Sequence, residues 1–72
     1  MKAIDFLKKV AQNTTIIIRV EMLGMRFESR RDVRFLIKDY NDESKKDVKA
    51  LLDREVSKIY PHDDLALTLD LQ

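Results

Sequence analysis

From Thr14 to Met22 apolar and polar positions alternate: Ile16, Ile18, Val20 and Met22 share one side, Arg19 and Glu21 the other. That is the two-residue period of a β-strand. Ile17 makes the strand apolar on both sides, which predicts a central place in a sheet. Leu23-Gly24 is the natural turn after it, since Gly takes positive φ at no steric cost. A two-residue loop sets Met22 opposite Met25, Glu21 opposite Arg26, Val20 opposite Phe27 and Arg19 opposite Glu28. Both charged pairs are then of opposite sign, and a slip of one residue would break the pattern.

The same logic continues the meander. Placing Phe27 opposite Phe35 sets Glu28 against Arg34 and centres a second loop on Arg31, whereas pairing Phe27 with Val33 would oppose like charges. A third strand, Val33 to Asp39, is predicted, with Val33, Phe35 and Ile37 inward. Arg19, Glu28 and Arg34 then form a ladder on the outer face, and Arg30 and Arg31 stand at a loop tip.

Two helical patterns flank this meander. Ala3, Ile4, Leu7, Val10 and Ala11 share one face of a helix over Lys2–Gln12. After a turn at Tyr40–Ser44, with Ser44 and Asp47 matching a capping box, a second helix is predicted to about Tyr60. Val48, Leu51, Leu52, Val56, Ile59 and Tyr60 repeat on its buried face, and Pro61 ends it. Leu65, Leu67, Leu69 and Leu71 alternate with Ala66, Thr68 and Asp70, giving a half-buried fourth strand. The expected fold class is α+β: one domain of order α-β-β-β-α-β, with strands in spatial order 4-1-2-3 and both helices on one face. Strand four should lie parallel to strand one, beside it, after a right-handed crossover.

Composition narrows the function more than it defines it. Seventy-two residues make a single domain. With 44% hydrophobic and 38% charged residues the chain can bury a core and stay soluble. A formal charge of +1 gives no global pull towards nucleic acid or anionic lipid. There is no cysteine, hence no disulfide framework and no thiolate chemistry, which suits an intracellular protein. Asp5 interrupts the N-terminal apolar residues, so a signal peptide is not expected, and no apolar run reaches a membrane span. A cytoplasmic location is the expectation.

No catalytic constellation emerges. His62 is the sole histidine, in a Pro61-His62-Asp63-Asp64 segment read as a loop, and no second histidine or cysteine could join it on a metal or a nucleophile. Ser44 reads as a cap and Ser57 as a helix residue. A single glycine cannot build a phosphate-cradling loop. A non-enzyme without cofactor or metal is expected. What remains is a surface: Arg19, Arg26, Arg30, Arg31, Arg34, Leu36, Lys38 and Tyr40, on the outer sheet face and at the loop tip, form the expected partner-binding set. Tyr and Arg are favoured at interface centres, so another protein is the expected partner. The size and architecture suit a small inhibitor or adaptor of the kind phages encode. Nucleic-acid binding through the Arg30-Arg31 tip is the alternative, and a structural homodimer joined through strand four a third reading.

Overall fold

The β1–β2 hairpin forms in the register that the charges dictate. β1 (Thr15–Met22) and β2 (Met25–Asp32) pair antiparallel, with Met22 against Met25, Glu21 against Arg26, Val20 against Phe27 and Arg19 against Glu28. Both residues of the turn have positive φ, 54° at Leu23 and 77° at Gly24, the signature of the tight turn whose twist matches its strands. Leu23 is fully exposed, so its side chain gains nothing for the strained backbone. Leu23→Asn should stabilise the protein by about 0.5–1 kcal/mol, read from the urea midpoint, because Asn tolerates the left-handed region that Leu does not.

The structure, a computed structural model, describes residues 1–63 and 65–72, the side chains of His62 and Asp63 excepted. The remaining elements are α1 (Ala3–Leu7), α2 (Val33–Tyr40), α3 (Lys46–Leu52), β3 (Val56–Asp63) and β4 (Ala66–Leu71). The class is α+β, as the pattern implies. The sheet is mixed, in the order β2-β1-β4-β3, with β1 parallel to β4 and β4 antiparallel to β3. β4 therefore lies beside β1, and β1 beside β2, as expected; the ends of the sheet differ from the 4-1-2-3 order.

Two segments account for the difference. Val33–Tyr40 is a helix, where a third strand was expected. Val33, Leu36, Ile37 and Tyr40 recur at helical spacing and pack into the core, and a short apolar run of this kind satisfies both periods. Carbonyls outside the helix decide between them. Val33 N–H donates to Thr14 O at 2.9 Å and Arg34 N–H to Gln12 O at 3.1 Å, satisfying two amides that a helix start leaves orphaned. The predicted long second helix ends at Leu52, and its distal half becomes β3, which pairs the edge of β4 that β1 leaves bare. α1 stops at Leu7, short of Gln12. The Ser44 capping box does not form; Asp42 Oδ1 instead accepts from the Ser44 amide at 2.9 Å and its hydroxyl at 2.7 Å.

All three helices lie on the inner face of the sheet. Ala3, Ile4, Leu7, Val33, Leu36 and Leu52 close over Ile16, Ile18, Val20, Leu69 and Leu71 to make one core.

Candidate functional site

The expected binding set disperses once α2 is a helix. Leu36 is buried, 4% exposed, and is a core residue that no partner can touch. Lys38 and Tyr40 lie on α2, away from the sheet; Tyr40 packs against the core, donates its hydroxyl to Asp53 at 2.7 Å, and has Lys49 4.4 Å over its ring. Arg34 also leaves the sheet. It lies 3.6 Å from Asp32 and 4.9 Å over the Phe35 ring, so no Arg19–Glu28–Arg34 ladder exists. Phe35 faces outward among arginines, not towards the helices. Arg30 and Arg31 do not form a hairpin tip; they lie within β2, which runs on to Asp32 and leads directly into α2 at Val33.

The outer sheet face keeps Arg19, Arg26 and Arg30; the first two are neutralised, and Arg30, opposite Ile17, has no ion pair among the described residues. Arg19 makes a two-point contact with Asp70 at 2.7 and 3.2 Å, an arrangement set by their parallel register, and lies 5.4 Å over the Tyr60 ring. The Arg19 guanidinium holds the Asp70 carboxyl below its ordinary range. Arg26 meets Glu21 at 3.3 Å. Of the apolar residues of this face Ile17 and Ala66 are buried, and Tyr60, partly exposed, lies under Arg19, so it offers solvent mostly charge. β4, proposed above as a dimer strand, is interior, flanked by β1 and β3. Pro61 and His62 belong to β3, not to a loop. The chemistry considered for the His62 and Asp63 side chains and for Asp64 lies outside the described residues.

On the inner face, Asp39 of α2 receives Arg31 of β2 and, at 3.2 Å, Lys45. Burial pushes the Asp39 carboxyl up, but Lys45 and Arg31 outweigh it and hold it below the ordinary value. This cluster pins α2 to β2.

Beyond that pin the inner face is open. A groove of about 580 Å³ lies between the β1–β2 hairpin and α3. Its apolar surface comes from Ile18, Val20, Met22 and Phe27 on the strands and from Ala50 and Leu51 on α3; Glu28, Ser29, Asp47 and Arg54 supply its polar atoms. Phe27 is 46% exposed, a large aromatic left partly in water beside the groove. Such sites are concave and mostly apolar with a few polar groups. The groove adjoins β2, an edge strand with no second neighbour among the described residues. Sequence reasoning placed Val20 and Phe27 on one face correctly. It could not show the groove, whose other wall it had assigned to a long helix covering that face.

The chain matches no protein-family model, no curated protein and no solved structure. Among the described residues no helix is long and apolar enough to cross a membrane.

Proposed function

We propose that this is a small non-enzymatic, cytoplasmic binding protein, an inhibitor or adaptor, which takes an apolar segment of another protein into the groove between β2 and α3. The observation that carries this reading is the half-exposed Phe27 in an apolar groove beside an unpaired strand edge. Exposed aromatic surface ringed by polar atoms is what protein interfaces desolvate first. The reading keeps protein contact as the function and moves the contact from the outer face, where Arg19 and Arg26 already pair, to the inner one.

The groove gives a direct test. Ala50 is exposed on α3 and lines the groove, so Ala50→Arg should fill it without touching the core. Tagged wild-type protein and the variant would be used in parallel to capture proteins from nuclease-treated bacterial lysate. A protein held in stoichiometric amount by the wild type and reduced at least ~10-fold by the variant supports the reading, given that one or two hot-spot contacts carry more than 1.4 kcal/mol. Equal recovery by both would sink it.

Nucleic-acid binding finds less support. Arg19, Arg26, Arg31 and Arg34 are each paired with a carboxylate, and only Arg30 among the arginines offered for the tip lacks an ion pair among the described residues. Phosphate contact by one free arginine would give a shallow dependence of affinity on salt.

A further inference from the structure

We propose that the free edge of β2 pairs with β2 of a second copy, antiparallel about a two-fold axis through Phe27, joining two sheets into one. This rests on reading the β2 side as the contact surface and adds what occupies the strand edge.

The two edges of the sheet are unlike. β3 carries Pro61, which has no N–H to donate, and its register with β4 shifts at Val56/Lys58 and again at Pro61/Asp63. Proline and bulges are how proteins blunt an edge. β2 has neither: its eight residues pair with β1 without a register shift, and none of them is buried. An edge this long and regular is a template for another strand.

The hairpin fixes which backbone groups are free. In a two-residue hairpin the pair that closes the loop, Met22–Met25, is hydrogen-bonded, and bonded and non-bonded pairs then alternate. Met25, Phe27, Ser29 and Arg31 therefore direct their N–H and C=O towards β1. Arg26, Glu28, Arg30 and Asp32 direct theirs outward. A second β2 must set even positions against even positions, which leaves three central alignments, with the axis at Phe27, Glu28 or Ser29.

Charge decides among them. An axis at Glu28 opposes the two glutamates and sets Arg26 against Arg30, like charges at each outward-bonding position. An axis at Ser29 pairs Glu28 with Arg30 and Arg26 with Asp32. However, Asp32 already accepts the Thr15 hydroxyl at 3.1 Å and lies 3.6 Å from Arg34, and this alignment runs Met25 into Val33, where the strand has become helix. An axis at Phe27 lets Arg26, which meets the exposed Glu21 at 3.3 Å, reach Glu28 of the second copy as well, twice over, and stays within the strand. It also brings the two Phe27 rings together at a non-bonded pair, where side chains approach closest. The exposed rings cover each other, and the two grooves meet across the axis on the same side of the joined sheet.

Sedimentation equilibrium over a concentration series tests this with the wild type, Arg26→Glu, Glu28→Arg and an equimolar mixture of the two variants. Both positions are exposed, and far-UV circular dichroism of each variant should match the wild type. The wild type should approach twice the 8.5 kDa chain mass as concentration rises. Each variant alone sets like charges across the axis and should stay at the single-chain mass. The mixture should recover the doubled mass, since glutamate at 26 then meets arginine at 28 at one end and the native Glu28 meets the native Arg26 at the other. A wild type that keeps the single-chain mass throughout, or variants that dimerise as well as it does, would overturn the proposal. So would a mixture that stays monomeric, which is what the Ser29 alignment requires. Ala50→Arg lies on α3, off the strand edge, so the mass readout and the capture experiment fail independently.

Discussion

Leu36→Asp should abolish folding at room temperature, while Phe35→Asp one residue away leaves the fold intact. Leu36 is in the core, and burying a leucine contributes about 1.5–3 kcal/mol. Placing a carboxylate there adds a desolvation cost of several kcal/mol, since Leu36 sits in a cluster of apolar side chains. A domain of 72 residues belongs at the low end of the usual range of about 5–15 kcal/mol, so the combined loss exceeds what it holds. Phe35 is 41% exposed, with Arg31 and Arg34 against its ring. An aspartate there forfeits the ring contacts but faces the same two arginines, so the change should stay within about 1 kcal/mol. Circular dichroism and urea titration read both variants. The pair discriminates between helix and strand for this segment, because a strand would turn Phe35 inward and Leu36 outward and reverse the outcome. Tolerance of Leu36→Asp with loss of Phe35→Asp would refute the helical assignment.

Acid should be the second strong destabiliser, through three aspartates. Asp39, Asp42 and Asp70 all titrate below the ordinary carboxyl value in the folded protein. At Asp42 the cause is the Ser44 hydroxyl and amide; at Asp70 it is Arg19; at Asp39 burial works the other way, but Lys45 and Arg31 prevail. In the unfolded chain each returns to roughly 3.9. The unfolded state therefore binds protons first as pH falls, and folding loses free energy over that interval. The contribution of these groups is complete above the unfolded value and disappears as pH drops through the lower folded values. The thermal midpoint should thus be nearly flat above about pH 5 as far as these groups are concerned, and fall steeply below about pH 4. Asp39→Asn with Asp70→Asn removes two of the three titrations, at a cost in stability near neutrality, and should flatten the acid limb. An unchanged acid slope in the double variant would mean that other carboxyls govern it.

These expectations depend on different layers of information. The Arg19–Asp70 contact joins residues 51 apart in sequence; the predicted parallel pairing of β1 and β4 put both on the outer face, but it set no register, and Arg19 was expected in a ladder with Glu28 and Arg34. The Asp39 cluster was not accessible. It needs Arg31 on the inner face of β2 and Asp39 on a helix, whereas the strand reading placed Arg31 at a loop tip and Asp39 at the end of a strand. The groove was hidden for a related reason: a helix running to Tyr60 would have covered the inner face that a helix ending at Leu52 leaves open at Phe27.

What the sequence determined by itself is what local pairing determines. Alternation and charge set the β1–β2 register, Gly24 fixed the turn, and the leucine alternation of β4 with the doubly apolar β1 placed those strands side by side. In each case the misaligned alternative opposes like charges or exposes a whole apolar face, so a few neighbouring residues suffice to exclude it. Only the tertiary structure decided Val33–Tyr40 and Val56–Asp63: the first satisfies a helix and a strand about equally well, and the second carries a helical spacing at Val56, Ile59 and Tyr60 that pairing with β4 overrides. For the first, the Thr14 and Gln12 carbonyls supply acceptors for a helix start. For the second, β4 is a largely buried strand whose bare edge presents backbone groups that must be satisfied, and Val56–Asp63 supplies their partner. Those acceptors and that edge come from remote parts of the chain, and they exist only when the rest of the sheet is in place.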